Sequence, residues 1–117
     1  YDFGRRHEVW AVFNAAGKFK LNESAALVRD SDVVITHDTG LMHIAAAFQK
    51  RIISIWGATV PEFGMYPYRP GEGSVQIEPK GVWDRPYSKL GDNKWYKPNF
   101  KGMEKIEVSE VLEALNR

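Results

Sequence analysis

Between Asp32 and Trp56 the chain reads DVVITHDTGLMHIAAAFQKRIISIW. Two short runs rich in β-branched residues, Asp32 to Thr36 and Arg51 to Trp56, flank an alanine-rich stretch. Neither run alternates apolar with polar residues, as a half-buried strand would. Each reads instead as a strand covered on both faces, a condition met where helices line both sides of a parallel sheet. The intervening stretch, Leu41 to Gln49, suits the helical crossover that parallel strands require. This pattern predicts an α/β fold: a Rossmann-like parallel sheet with helical crossovers, which are right-handed almost without exception.

The flanking sequence extends the pattern. Val9 to Phe13 is a further β-type run, and Gly17 marks a turn in the NAAGKFKL loop that follows. Asn22 reads as a helix N-cap, with Ala25, Ala26 and Leu27 at helical spacing behind it. Val9–Phe13 and the two central runs then form three adjacent parallel strands, and SVQIEP at 74–79 supplies one more. The whole, 1–117, is expected to be a single partial Rossmann-like domain: a β/α core over 1–57, a loop-rich aromatic segment over 58–104 and a C-terminal helix over 105–117. The helix is expected to present Val108, Val111, Leu112 and Leu115 on one face. The 16 basic and 15 acidic residues nearly cancel, which argues against a nucleic-acid partner. Lys89, Lys94, Lys97 and Lys101 are interleaved with Asp84, Asp92 and Glu104, the pattern of a solvated loop. There is no cysteine, which removes disulfides and thiolate metal sites. No apolar run is long enough to span a bilayer. Tyr1 rather than methionine opens the chain, which reads as an excised or trimmed segment.

The strand-to-helix junction HDTGLMH carries the candidate chemistry. In a parallel sheet such loops lie at the carboxyl edge, where ligands bind. The first amides of the helix have no intrahelical partner and sit at the positive end of its dipole, so they attract anions. Gly40 has no side chain to block that approach, and Thr39 offers a hydroxyl. His43, three residues beyond Gly40, lies near the helix start and can donate to the same anion. Asp38 would repel a phosphate and is better suited to accept from helix amides or sugar hydroxyls. The same residues also read as an ordinary capping loop, with His43 a satisfied core histidine. His37, Asp38 and His43 do not match a metal-site spacing, and the remaining histidine is His7, so no metal is expected. No phosphate-binding P-loop and no nucleophile elbow is present.

From Gly17 to Tyr68 the chain closely resembles the C-terminal, donor-binding half of glycosyltransferase family 9, the heptosyltransferases that build lipopolysaccharide. The resemblance rests on Asp38-Thr39-Gly40-Leu41-Met42-His43, on the alanines at 45–47, and on Gly57-Ala58-Thr59-Val60-Pro61. The Met-x-x-Ile before the last helix, Met103 to Ile106, also matches. The resemblance implies the C-terminal domain of a GT-B glycosyltransferase, with no cofactor. It implies a donor of the ADP-heptose type, held by Asp38, Thr39, Gly40, Leu41, His43 and Thr59, and a metal-independent transfer with inversion. His43 would then stabilise the leaving group. It further implies a bacterial, cytoplasmic protein, at most peripheral at the inner membrane.

The chain departs from the family in two ways. The resemblance places the acceptor site and the catalytic base in an N-terminal domain that is not expected in this chain. The early donor-domain strands, with their basic and acidic nucleotide contacts, are expected to be missing or reduced to YDFGRRHE, and Glu8 is not assigned as the acidic contact. Activity of the chain alone is therefore not expected. Where many relatives carry four cysteines, this sequence has Asp84, Tyr87, Trp95 and Gly102. Two other readings stay open: a sugar-nucleotide epimerase-like domain, and a non-catalytic or engineered fragment that acts as an interaction module. In the second, Trp83, Trp95 and Tyr96 would form a homo-oligomer interface where the missing domain once packed.

Overall fold

The computed structural model describes residues 12–57, 66–79 and 102–117. In order these contain helix α1 (Leu21–Asp30), strand β1 (Val33–His37), helix α2 (Gly40–Ala47), strand β2 (Arg51–Ile55), strand β3 (Val75–Ile77), a 3-10 turn (Gly102–Lys105) and helix α3 (Val108–Leu115). The strands form one parallel sheet in the order β1-β2-β3, and the expected α/β Rossmann-like architecture is present. Among the described residues the third strand of this sheet is Val75–Ile77, drawn from the SVQIEP segment. Val12 and Phe13 lie in no regular element, and 9–11 fall outside the described residues.

Register explains how the core divides. Val34 pairs with Ile52 and Ile35 with Ile53, so odd- and even-numbered positions of β2 face opposite sides. Ile52 and Trp56 join Met42, Ala45 and Ala46 on the side covered by α2, with Val28 of α1 and Val34 packed against them. Ile53 joins Ile77 and Ala114 on the other side, with Val33, Val75, Ile106, Val111 and Leu115 around it. Burying an isoleucine on each side stabilises the fold by about 1.5–3 kcal/mol per side chain. Trp56 is wholly buried, and its Nε1–H donates to the buried Ser54 Oγ at 3.0 Å.

The structure corrects several boundaries and faces. Helix α1 is capped at Lys20, not Asn22, because Glu23 Oε1 reaches back to accept the Lys20 amide at 2.9 Å. None of its residues is buried, and Leu27 is half exposed. β1 runs one residue later than expected and is not covered on both faces, since Ile35 is 49% exposed. Ile35 lies on the α3 side, where α3 packs on β2 and β3. α2 stops at Ala47, and Gln49 turns the chain with a left-handed φ of 55°. On α3, Val111 and Leu115 face the sheet with Ala114, whereas Val108 and Leu112 are exposed. The Gly17 turn forms as expected, with φ 71° and Lys18 N–H donating to Ala15 O at 3.1 Å. Among the described residues no helix is long and apolar enough to cross a membrane.

Candidate functional site

β1 ends at His37 and α2 begins at Gly40, so Asp38 and Thr39 form the whole connection at the carboxyl edge of the sheet. Thr39 is the N-cap residue, extended at φ −139° and ψ 168°. Its carbonyl accepts the Met42 amide at 3.1 Å and closes the first turn. Its hydroxyl does not cap the helix. It lies 3.2 Å from Thr36 Oγ1, which itself donates to His37 O at 3.0 Å. A ligand oxygen arriving at Thr39 therefore competes with a neighbouring hydroxyl rather than with a helix amide. The amides of Gly40 and Leu41, the first two of the helix, have no intrahelical acceptor.

Among the described residues, a Cβ built on Gly40 meets no atom within 4 Å beyond its own helix and chain neighbours. No described residue crowds this turn, as an anion approaching the backbone requires. Leu41 is 38% exposed beside it. His43 lies one turn further along and is exposed, so it is not a core histidine. Asp38 is half-buried, and that burial pushes its carboxyl above the ordinary carboxylate range, while His43 nearby pulls it down. No described residue donates a hydrogen bond to the Asp38 carboxylate, so it does not serve as a cap for α2.

The structure thus brings together Asp38, Thr39, Gly40, Leu41 and His43. Thr59 lies outside the described residues, as do His7, Glu8, Trp83, Trp95 and Tyr96. Among the described residues no three of His, Asp and Glu gather as a metal ion would need. Thr36 is a member of the site that the sequence reading did not single out. Its signal was a hydroxyl at the end of the strand, three residues before Thr39, hidden within a run that reads as core. A cavity of about 420 Å³ lies elsewhere, between β3 and α3, lined by Val75, Ile77, Glu78, Glu110, Glu113 and Arg117 among others. Three glutamates against one arginine make it a poor receptor for phosphate.

This geometry can be set beside known proteins. Over 50 residues the chain is 46% identical to "Lipooligosaccharide heptosyltransferase 2" of Haemophilus influenzae, covering 43% of this chain and 14% of that protein. It is 34% identical over 50 residues to "Lipopolysaccharide heptosyltransferase 2" of Escherichia coli K12, with the same coverage of each. It is 38% identical over 59 residues to "Lipooligosaccharide heptosyltransferase 2" of Haemophilus ducreyi, covering 49% of this chain and 17% of that protein. The similarity thus spans 14–17% of the length of these relatives. No solved structure matches the chain significantly. The model of glycosyltransferase family 9 (heptosyltransferase) matches residues 5–80, more than half of the chain. A match of that extent, over the strands and the junction described above, assigns the chain: it belongs to glycosyltransferase family 9.

Proposed function

We propose that this chain contributes the donor-binding part of an inverting, metal-independent glycosyltransferase, and that the 38–43 junction holds the diphosphate of a nucleotide sugar of the ADP-heptose type. The observation that supports this reading is that no described residue crowds Gly40, beside amides that have no acceptor within their helix. In the proposed complex the Gly40 and Leu41 amides and the Thr39 hydroxyl take phosphate oxygens. His43 donates to the same group from one turn along. Negative charge grows on the leaving diphosphate in the transition state, and donors already fixed around it favour that state over the ground state. Asp38 has a different task. A half-buried carboxylate with no donor from the described residues is suited to accept the hydroxyl groups of the sugar. Thr59 is assigned to the same edge on its sequence motif alone. The acceptor site and the catalytic base are assigned to the family's N-terminal domain, and the residues described here to donor binding.

Calorimetric titration with ADP, UDP and GDP tests the proposal. Saturable binding of one nucleotide is expected, and flat titrations with all three at millimolar concentration would end it. The epimerase alternative separates by product analysis. The sugar of a bound nucleotide sugar should be recovered unchanged by NMR, whereas an inverted ring carbon would favour the epimerase.

A further inference from the structure

A second pair of residues meets the carboxyl edge of the sheet from the other side of the core. His37 and Ile55 are partners in register, so the chain leaves β1 and β2 side by side, through Asp38–Gly40 on one strand and Trp56–Gly57 on the other. A Cβ built on Gly57 would lie 2.6 Å from Met103 Sδ and 3.4 Å from Met103 Cγ. The thioether therefore occupies the space that any other residue at position 57 would fill. Met103 belongs to the 3-10 turn before α3, and its carbonyl accepts the Ile106 amide at 3.2 Å. Ile106 in turn packs on the Ile53 cluster, so the turn is anchored to the sheet at both its ends. Met103 remains 37% exposed, which means that the seat at Gly57 is at the surface rather than deep in the core.

We infer that Met103 is a positioning residue for the donor edge: seated in the notch left by Gly57, it fixes the exit of β2 and, through the paired strand ends, the adjacent Thr39–Gly40 turn. Its effect on ligand rests on the junction being the diphosphate site, but its effect on the turn does not. A long, unbranched, polarisable side chain suits a shallow notch in a backbone, because it conforms to the space without a fixed shape of its own.

The experiment reads the two apart. In ¹H–¹⁵N spectra of the full chain, Met103→Ala should move the amide signals of Gly57, Thr39 and Gly40. Met103→Leu, which keeps the volume, should return them towards their original positions. Leu112→Ala, a change at an exposed site on α3, should leave them in place. Unmoved Thr39 and Gly40 signals in Met103→Ala would overturn the inference whatever the nucleotide does. Where the parent chain binds ADP, Met103→Ala should weaken binding by about threefold or more, since small displacements of a binding group lower its effectiveness steeply, with recovery in Met103→Leu. Unchanged ADP affinity in Met103→Ala would also overturn it. If the parent chain binds no nucleotide, the functional proposal falls, and the spectra alone still decide whether Met103 holds the turn.

Discussion

Among the described residues a side chain at Gly40 would meet no neighbour, so their packing does not require glycine there. Glycine within a helix costs stability relative to alanine. Gly40→Ala should therefore melt at the same or a higher temperature than the parent. Gly40→Val should fold yet lose nucleotide affinity, because its methyl groups stand where phosphate oxygens must approach. Thermal melts and titration of ADP against both variants check this, and parent-like affinity in Gly40→Val would move the anion elsewhere. Asp38 supports a second prediction. Burial raises its folded-state pKa above the ordinary value, so the folded state favours the protonated form. The stability this contributes is fully present below the ordinary carboxylate pKa and is lost as pH rises through the raised one. Asp38→Asn should consequently be more stable than the parent at pH 7, with the difference vanishing near the acid end of the melting series. An Asn variant less stable at neutral pH would mean that the carboxylate is held by favourable contacts. Asp38 was legible as a polar outlier in the junction, but its partial burial was not, because burial depends on how the paired strands and α2 close around it.

The elements were legible where one neighbour decides their fate. β2 was read correctly as buried because both its faces and both its edges are covered. β1 carries the same kind of sequence yet leaves Ile35 exposed, since coverage is set by where α3 lands and not by composition. The α3 face was misread for a related reason. Val108 and Leu112 share the apolar character of Val111 and Leu115, but the direction in which α3 docks turns them outward. Arg51 fixes that direction. Its guanidinium donates to Leu115 O at 3.2 Å and to Ala114 O at 2.5 Å, and Nε donates to Gly73 O at 3.1 Å. One cation thus donates to the last two carbonyls of α3, of which Ala114 O also accepts the Arg117 amide at 3.4 Å, and joins them to the turn before β3. Arg51→Met should cost about 1–3 kcal/mol by leaving the part-buried Leu115 carbonyl unpaired and Ala114 O with one donor fewer, with faster amide exchange in α3 than in α2. Arg51→Lys should not rescue it, because an ammonium group lacks the planar fork that reaches separated acceptors. Equal exchange in both helices would show that apolar packing alone holds α3.

For the molecule as a whole, the family was legible because its signature is local: a junction of six residues and a short motif after the next strand survive in a chain that matches only 14–17% of its relatives' length. Thr36 and the Met103–Gly57 seat were not legible, since each depends on side chains brought together by folding and not on spacing along the chain. The same distinction governs stability. Ile52 and Ile53 are adjacent in sequence, fully buried, and assigned to separate clusters on opposite sides of one strand. Loss of either should therefore be felt by all the elements packed on its side. Ile53→Ala should destabilise the chain by about 2–5 kcal/mol, as the removal of a large core side chain does, because Ile77, Ala114, Val111 and Leu115 lose a common partner. Ile35→Ala changes a residue of the same type, in register with Ile53 on the same face, but 49% exposed. It should cost under half as much, since less apolar surface returns to water and no closed cavity forms. Urea denaturation of the two variants measures the difference. Equal losses would mean that the margin of the sheet at β1 is as well covered as its centre, and that the exposed face of Ile35 is closed in solution.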